Sequence, residues 1–177
     1  MSVLAYFRKS DGRYSLNYSY DFGKLSNSQK QAIITLIEKR DKDKRDLLNW
    51  RPISLVNVDV KIGSKAIAKR LENVLSSIIH YNQCAYFKGR TIFDAVITVD
   101  NIMEFSERYN LEGRVICIDF KKAFDTVSRD FLFCTLSSFG FGPSFLQWIH
   151  TFYNNISSCV VNNSFCTQHF TVERGVR

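Results

Sequence analysis

Residues 115–127, VICIDFKKAFDTV, restrict what this chain can fold into more than any other stretch. Val115, Ile116, Cys117 and Ile118 form an apolar run with no polar alternation, and Asp119 follows at once. Four β-prone residues in a row predict a strand buried on both faces. A carboxylate at the tip of such a strand is costly unless it is paired, hydrogen-bonded or bound to a metal. That layout predicts a metal-dependent site with Asp119 facing a cleft. The same residue also suits the cap of a helix after a strand, and this window does not decide between the two. Phe124 and Asp125 follow on what reads as a turn into a helix.

The chain before this stretch reads as strands, then helices. Residues 1–25 are rich in Tyr and Ser, with turn signals at Asp11-Gly12 and Phe22-Gly23, and predict no firm element. Ser26 or Ser28 can cap a short helix leading to Ala32. Residues 32–38, AIITLIE, predict a buried strand, and NWRPISLVNV returns as a second one, with Pro52 near the strand's start. The charge run KRDKDKRD at residues 39–46 lies between them. It reads either as a solvated loop or as a basic hairpin tip able to hold phosphate.

Over residues 59–79, Ile62, Ala66, Ile67, Leu71, Val74, Leu75 and Ile78 recur at helical spacing. Lys61, Lys65, Lys69 and Arg70 belong to the same helix, mostly off the apolar stripe. They read as a solvated face or as contacts to a nucleic-acid backbone. Residues 80–90 form a loop in which Tyr86 and Phe87 stand beside Lys88 and Arg90. A helix over residues 91–109 is expected to turn Ile92, Val96, Val99, Met103 and Phe105 inward, with Met103 as core filler. After the central run come a helix over residues 128–139 ended by Gly140, and another with Pro143 in its first turn and Phe145 and Trp148 as core. Two β-prone runs around Asn162-Asn163 predict a hairpin. The fold class is α+β, with antiparallel pairing expected.

Composition narrows the function. A net charge of +7 favours a polyanionic partner, nucleic acid or an anionic surface. Cys84, Cys117, Cys134, Cys159 and Cys166 are odd in number and lack zinc spacing, which predicts free thiols in a reducing compartment. No apolar run approaches the roughly 18 residues of a membrane span, and the first ten residues lack a signal-peptide core. A soluble intracellular protein with no membrane partner is expected. His80, His150 and His169 are dispersed, and neither a Ser-His-Asp set nor a Gly-rich phosphate loop is visible.

Five blocks in register, IITLIEKRDKDKRDLLNWRPISLVNVDVKIGSKAIAKRL, QCAYFKGRTI, IDFKKAFDTV, FGFGPSFLQWI and YNNISSCVVNNSF with ERGVR, carry a resemblance. The chain resembles the reverse transcriptase domain of LINE-type (non-LTR) retrotransposons, collinearly from about Asn17 to Arg177. The resemblance implies part of a right-hand polymerase fold: a fingers hairpin with helices, then the first part of an antiparallel palm sheet. Its divisions would be an irregular segment over residues 1–25, a fingers-like part over 26–110 and a palm part over 111–177. It further implies an enzyme that copies an RNA template from a DNA primer and dNTP, using two Mg2+ ions.

By the resemblance, Asp119 is the first catalytic, metal-binding aspartate of the palm, and the main-chain carbonyl of Phe120 is a further metal ligand. Two-metal phosphoryl transfer needs carboxylates at such a point to hold both ions. Phe124 would be the aromatic steric gate against the sugar, and Asp125 a structural cap. Lys39 and Arg51 would grip the incoming triphosphate, a point-charge amine beside a forked guanidinium. Lys61, Lys65, Lys69, Lys88 and Arg90 would meet nucleic acid. In this family ERGVR leads into a QGDPLS block and a YxDD turn with the other metal-binding aspartates, which lie past Arg177. One carboxylate alone does not hold two Mg2+ in catalytic geometry. The expectation is a reverse transcriptase fragment inactive in isolation, or a non-catalytic nucleic-acid-binding remnant. Nuclear location would follow by family analogy, and no protein partner is implied.

Overall fold

The computed structural model describes residues 12–176, which fall into two compact units. The first comprises the described residues up to Ala66 together with those from Lys122 onward, and the second runs from Ile67 to Lys121.

The first unit is built on one five-stranded sheet. β1 (Gln31–Glu38) and β2 (Trp50–Val56) form the expected hairpin, with Ile33 opposite Leu55 and Ile37 opposite Arg51. The charge run between them is ordered by its own polar groups. Lys39 donates its backbone N–H to Asn49 O at 2.8 Å, Asp46 caps a 3-10 turn at Leu47–Asn49, and Trp50 Nε1 donates to Lys44 O at 2.9 Å. β3 (Ser157–Asn162) turns back through Asn163 and Ser164, both in the left-handed region with φ of 47° and 66°, into β4 (Phe165–Cys166). Positive φ at both central residues is the geometry that matches strand twist in tight hairpins. β5 (Phe170–Thr171) then pairs with the start of β3. Antiparallel pairing holds for β1–β2, β3–β4 and β3–β5. β1 and β3 instead run parallel, Ala32 beside Ser158 and Ile33 beside Cys159. A long connection separates these two strands, and parallel neighbours need such a crossover.

Helices close one side of this unit. The irregular N-terminal segment expected for residues 1–25 is corrected here: α1 (Gly12–Asp21) is helical, while residues 1–11 lie outside the described residues. The turn signal at Gly23 marks its end. Gly23 has a φ of 63°, and Lys24 N–H reaches back to Ser19 O at 3.0 Å, a helix-terminating pattern that favours glycine. α2 (Asn27–Lys30) is capped by Ser26 and by the reciprocal bond from Ser26 N–H to Gln29 Oε1 at 3.0 Å.

Gln29 is the polar hub of the unit. Its amide donates to Ser15 Oγ at 2.9 Å and Asp59 Oδ2 at 3.0 Å, and its oxygen accepts from Ser19 Oγ as well as Ser26 N–H. A buried amide with every bond made specifies one arrangement of its neighbours. Leu16, Leu25, Ala32, Ile156 and Cys159 supply buried apolar groups, with Thr151 and Ser158. Each large aliphatic group buried there contributes about 1.5–3 kcal/mol. α3 (Val58–Ile78) brings Gly63 within 3.1 Å of Leu16 Cδ1, measured from where a Cβ would stand. α5 (Ala123–Thr126) leads into α6 (Arg129–Ser138), capped by Ser128, and α7 (Pro143–Tyr153) has Pro143 in its first turn. α7 lays Trp148 against Tyr20 with ring centroids 4.7 Å apart, and Gln147 Nε2 donates to Tyr20 O at 2.8 Å. Phe145 and Trp148 are half-buried rather than fully enclosed.

The second unit contains the C-terminal part of α3, a loop, α4 (Ile92–Arg108) and residues 109–121. Thr91 and Asp94 form a reciprocal cap that starts α4 where the sequence predicts. Its inward face is corrected: Ile92, Val96, Val99, Met103 and Phe105 are all exposed. Residues 115–118 are corrected too. They form no strand, and Ile116 is 79% exposed. Both corrections have one cause. An apolar stripe is buried only where a facing layer exists, and a β-prone run becomes a strand only beside an open edge. Among its described residues this unit contains no strand.

Candidate functional site

The best-defined functional geometry is a corner of the first unit where two backbone segments meet. Lys122 adopts φ 53°, an uncommon conformation for a non-glycine residue, and so turns the chain into the short helix α5 that carries Phe124 and Asp125. Far along the chain, residues 174–176 return beside that turn. Arg174 bridges Ser128, Gly175 N–H donates to Val127 O at 2.9 Å, and Val176 N–H donates to Phe124 O at 2.8 Å. Gly175 has φ 90°, and a Cβ there would stand 3.1 Å from Asp125 O and 3.2 Å from Asp125 Cα. Only glycine satisfies both the dihedral and the approach. The largely exposed Phe124 ring is thus carried on a turn whose backbone is pinned from behind.

Arg129 braces the same corner. Its Nη1 donates to Tyr153 O at 3.1 Å and its Nη2 to Val172 O, joining the first turn of α6 to the end of α7 and the segment after β5. The guanidinium also lies 5.6 Å from the Tyr153 ring centroid. Burial pushes its pKa down, partly offset by Tyr153 and Glu173. Nε is buried with no hydrogen-bond partner among the described residues.

The sequence-predicted residues fall into separate groups. The hairpin register brings Lys39 and Arg51 to the same end of β1 and β2. Lys39 Nζ is engaged by Leu48 O at 2.7 Å, whereas Arg51 is exposed on the sheet face that carries Ile37, Ile53 and Leu55. Lys61, Lys65 and Lys69 are exposed along α3 at four-residue spacing, and Lys88 is exposed in its loop. Arg90 is half-buried, with its guanidinium on three backbone carbonyls. Asp119 and Phe120 lie in the second unit, exposed and outside any helix or strand.

Sequence reasoning missed Gly175 and Arg129. Arg129 left a usable signal: a cation in the first turn of a helix opposes the helix dipole, so another interaction must hold it. Gly175 stands in the ERGVR block, but the closeness that requires glycine there is visible only in three dimensions.

A metal centre needs more than the described residues assemble. Among the described residues no group of three His, Cys, Asp or Glu side chains could hold an ion. Mg2+ takes six oxygen ligands in near-octahedral geometry. The Asp119 carboxylate and Phe120 carbonyl therefore do not by themselves fit a two-ion centre. No helix among the described residues is long and apolar enough to cross a membrane.

The mixed helices and small sheet are consistent with part of a reverse transcriptase fold. Residues 37–177 match the reverse transcriptase (RNA-dependent DNA polymerase) family, and the chain belongs to it. It is 37% identical over 162 residues to the Transposon TX1 uncharacterized 149 kDa protein of Xenopus laevis, covering 92% of this chain and 12% of that protein. Retrovirus-related Pol polyproteins of retrotransposable elements are also similar. One from Drosophila melanogaster is 25% identical over 88% of this chain and 14% of its own length. One from Popillia japonica is 24% identical over 82% of this chain and 20% of its own length. This is a reverse transcriptase domain segment of the non-LTR retrotransposon type, spanning a fifth or less of these relatives.

Proposed function

We propose that this chain serves RNA-templated DNA synthesis as the nucleotide-facing and template-facing part of a polymerase, with residues 26–110 acting as fingers and 111–177 as palm. Phe124 meets the sugar of the incoming dNTP, and Lys39 and Arg51 meet its triphosphate. Lys61, Lys65, Lys69 and Lys88 lie along the RNA template and DNA primer. Asp119 and the Phe120 carbonyl are ligands for Mg2+ once further carboxylates join them. The observation that carries this reading is the approach of Gly175 to the Phe124–Asp125 turn. A ring used to reject a 2′-hydroxyl must not yield, and a turn pinned by two backbone bonds is rigid.

Taken alone, the chain binds nucleic acid without extending a primer, because a single carboxylate cannot hold two ions. The test is primer extension on an RNA template with Mg2+ and all four dNTPs, alongside binding of the same duplex. Binding that weakens steeply with salt and no extension is the expected pair of results. Extension by the chain alone would sink the inactive reading, and no binding at low salt would sink the nucleic-acid reading. In a longer polymerase that carries this chain, Asp119→Asn abolishes extension; an unchanged rate would remove Asp119 from the site. Nuclear location is the corresponding proposal for the cell, checked by imaging a tagged chain.

A further inference from the structure

The hairpin of β3 and β4 sets two cysteines on one face of the sheet. Val161 lies opposite Cys166, and Cys159 stands two residues before Val161, so Cys159 and Cys166 share that face. Diagonal neighbours across an antiparallel pair lie roughly 7–8 Å apart, with their side chains closer. Past β4 the chain stays fastened to β3 through the residues next to these cysteines. Thr167 N–H donates to Val160 O at 3.0 Å, and Val160 N–H donates to Thr167 Oγ1 at 2.9 Å.

The two thiols are joined and differ in access. Cys166 Sγ donates to Thr167 O at 3.4 Å, and the Cys159 thiol is hydrogen-bonded with Cys166. Cys159 is buried beside Ile33 of β1, whereas Cys166 is exposed on β4. The hydrogen bond with Cys166, and then burial, push the Cys159 thiol pKa up. The thiolate is the form that attacks a disulfide, and access governs the rate. Cys166 therefore meets an oxidant first, and Cys159 reaches only what is already attached to its neighbour. Cys84 and Cys117 belong to the second unit and Cys134 to α6. The nucleotide-facing reading uses neither Cys159 nor Cys166.

We propose that Cys159 and Cys166 are a dithiol that a small-molecule disulfide oxidant converts into an intrachain disulfide, fastening β4 to β3. With oxidised glutathione, the Cys166 thiolate attacks one glutathione sulfur, and a glutathione thiolate leaves. Cys159 gives its proton to water and attacks the Cys166 sulfur of the mixed disulfide, releasing the second glutathione thiolate. Two protein thiols are oxidised and one glutathione disulfide is reduced to two thiols. A bridge needs Cα atoms closer than about 7 Å, and β4, two residues long at the sheet edge, is free to close that distance. In a reducing compartment the dithiol is the resting form, and the disulfide belongs to oxidative conditions. The anchored segment runs on to Val172 and Gly175, the backbone behind the Phe124 turn.

The experiment uses the full 177-residue chain, reduced, freed of reductant and incubated with oxidised glutathione near pH 8. Remaining thiols are blocked and the chain is digested with chymotrypsin, which cuts after Phe165 and so parts the two cysteines unless a bridge joins them. Peptides linked through Cys159 and Cys166, carrying no glutathione, are the expected main product. The bridged chain is expected to melt about 5 °C above the reduced one, and dithiothreitol to remove the gain. Cys166→Ser, at an exposed position, leaves Cys159 unmodified and the melting temperature unmoved by the oxidant. Cys159→Ser instead holds glutathione on Cys166.

Glutathione that stays on Cys166 in the unaltered chain overturns the pair. So does a bridge from either cysteine to Cys84, Cys117 or Cys134, or no bridge under conditions in which Cys117 takes up glutathione. A bridged chain that melts below the reduced one overturns the fastening, because the hairpin would then have to distort to form the bond. None of these outcomes depends on whether the chain binds nucleic acid.

Discussion

α7 and α4 are both amphipathic helices with a clear start signal, yet their apolar side chains are covered to very different extents. α7 in the first unit buries Thr151, stacks Trp148 on Tyr20 and ties its neighbour through Gln147. α4 in the second unit leaves Ile92, Phe93, Val96, Ile97, Ile102 and Met103 exposed. The contrast separates two kinds of information. Periodicity says which face of a helix wants burial, whereas stability depends on whether another layer is there to receive it.

The largest expected consequence is in backbone opening. Amides of β1 and β3 should exchange hydrogen at least about a hundredfold more slowly than amides of α4, because opening free energies follow local burial. Equal protection measured by exchange mass spectrometry would break the contrast between the units. Next in size is the polar hub. Gln29→Leu strands Asp59, Ser15 and the Ser26 N–H, and should cost about 2–3 kcal/mol in denaturant unfolding. A cost below about 0.5 kcal/mol, the level of an ordinary surface change, would show that the hub organises nothing.

A somewhat smaller effect is expected at the pinned corner. Gly175→Ala must hold φ near 90° with its Cβ against Asp125, a loss of about 1–3 kcal/mol. The same variant should speed exchange of the Val176 amide, which donates to Phe124 O. A neutral Gly175→Ala would mean that the corner opens freely, and would weaken the case for a rigid Phe124. The mildest probe is thiol labelling. The hydrogen bond with Cys166, and then burial, push the Cys159 thiol pKa up, while Cys117 in the second unit is exposed. A raised thiol pKa means less thiolate below that pKa, so iodoacetamide near pH 8 should label Cys117 at least about tenfold faster than Cys159. Comparable rates would argue that β3 is not protected.

Much of this arrangement could be read from residues alone, where the signal was local. The β1–β2 hairpin follows from two β-prone runs around a charged connection, and Thr91, Ser128, Pro143 and Gly140 bracket their helices through chemistry contained in a single turn. Residues 115–118 show the opposite case. Their composition favours a strand, but strand formation depends on an edge elsewhere, and composition holds no record of that edge. The candidate site divides in the same way. Lys39, Arg51, Phe124 and Asp119 could be nominated because the resemblance marks them. Arg129 and Gly175 matter through their approaches to Val172 and Asp125, which bring distant parts of the chain together. Arg90 is marked by the same resemblance, and its guanidinium also donates to three backbone carbonyls of its own loop, which the sequence does not reveal.

The parallel pairing of β1 with β3 sets a timetable for making the protein. Gln31 pairs with Ser157, so the hairpin leaves the ribosome long before the strand that completes it. At about 5–20 residues per second, the delay is on the order of ten seconds. Throughout that interval one side of β1 presents unpaired N–H and C=O groups, able to pair with any extended chain nearby. Ile156, Ser158 and Cys159, which end up buried, are synthesised only with β3. The nascent chain therefore meets its greatest hazard of misassembly before its own β3 exists to compete for that edge.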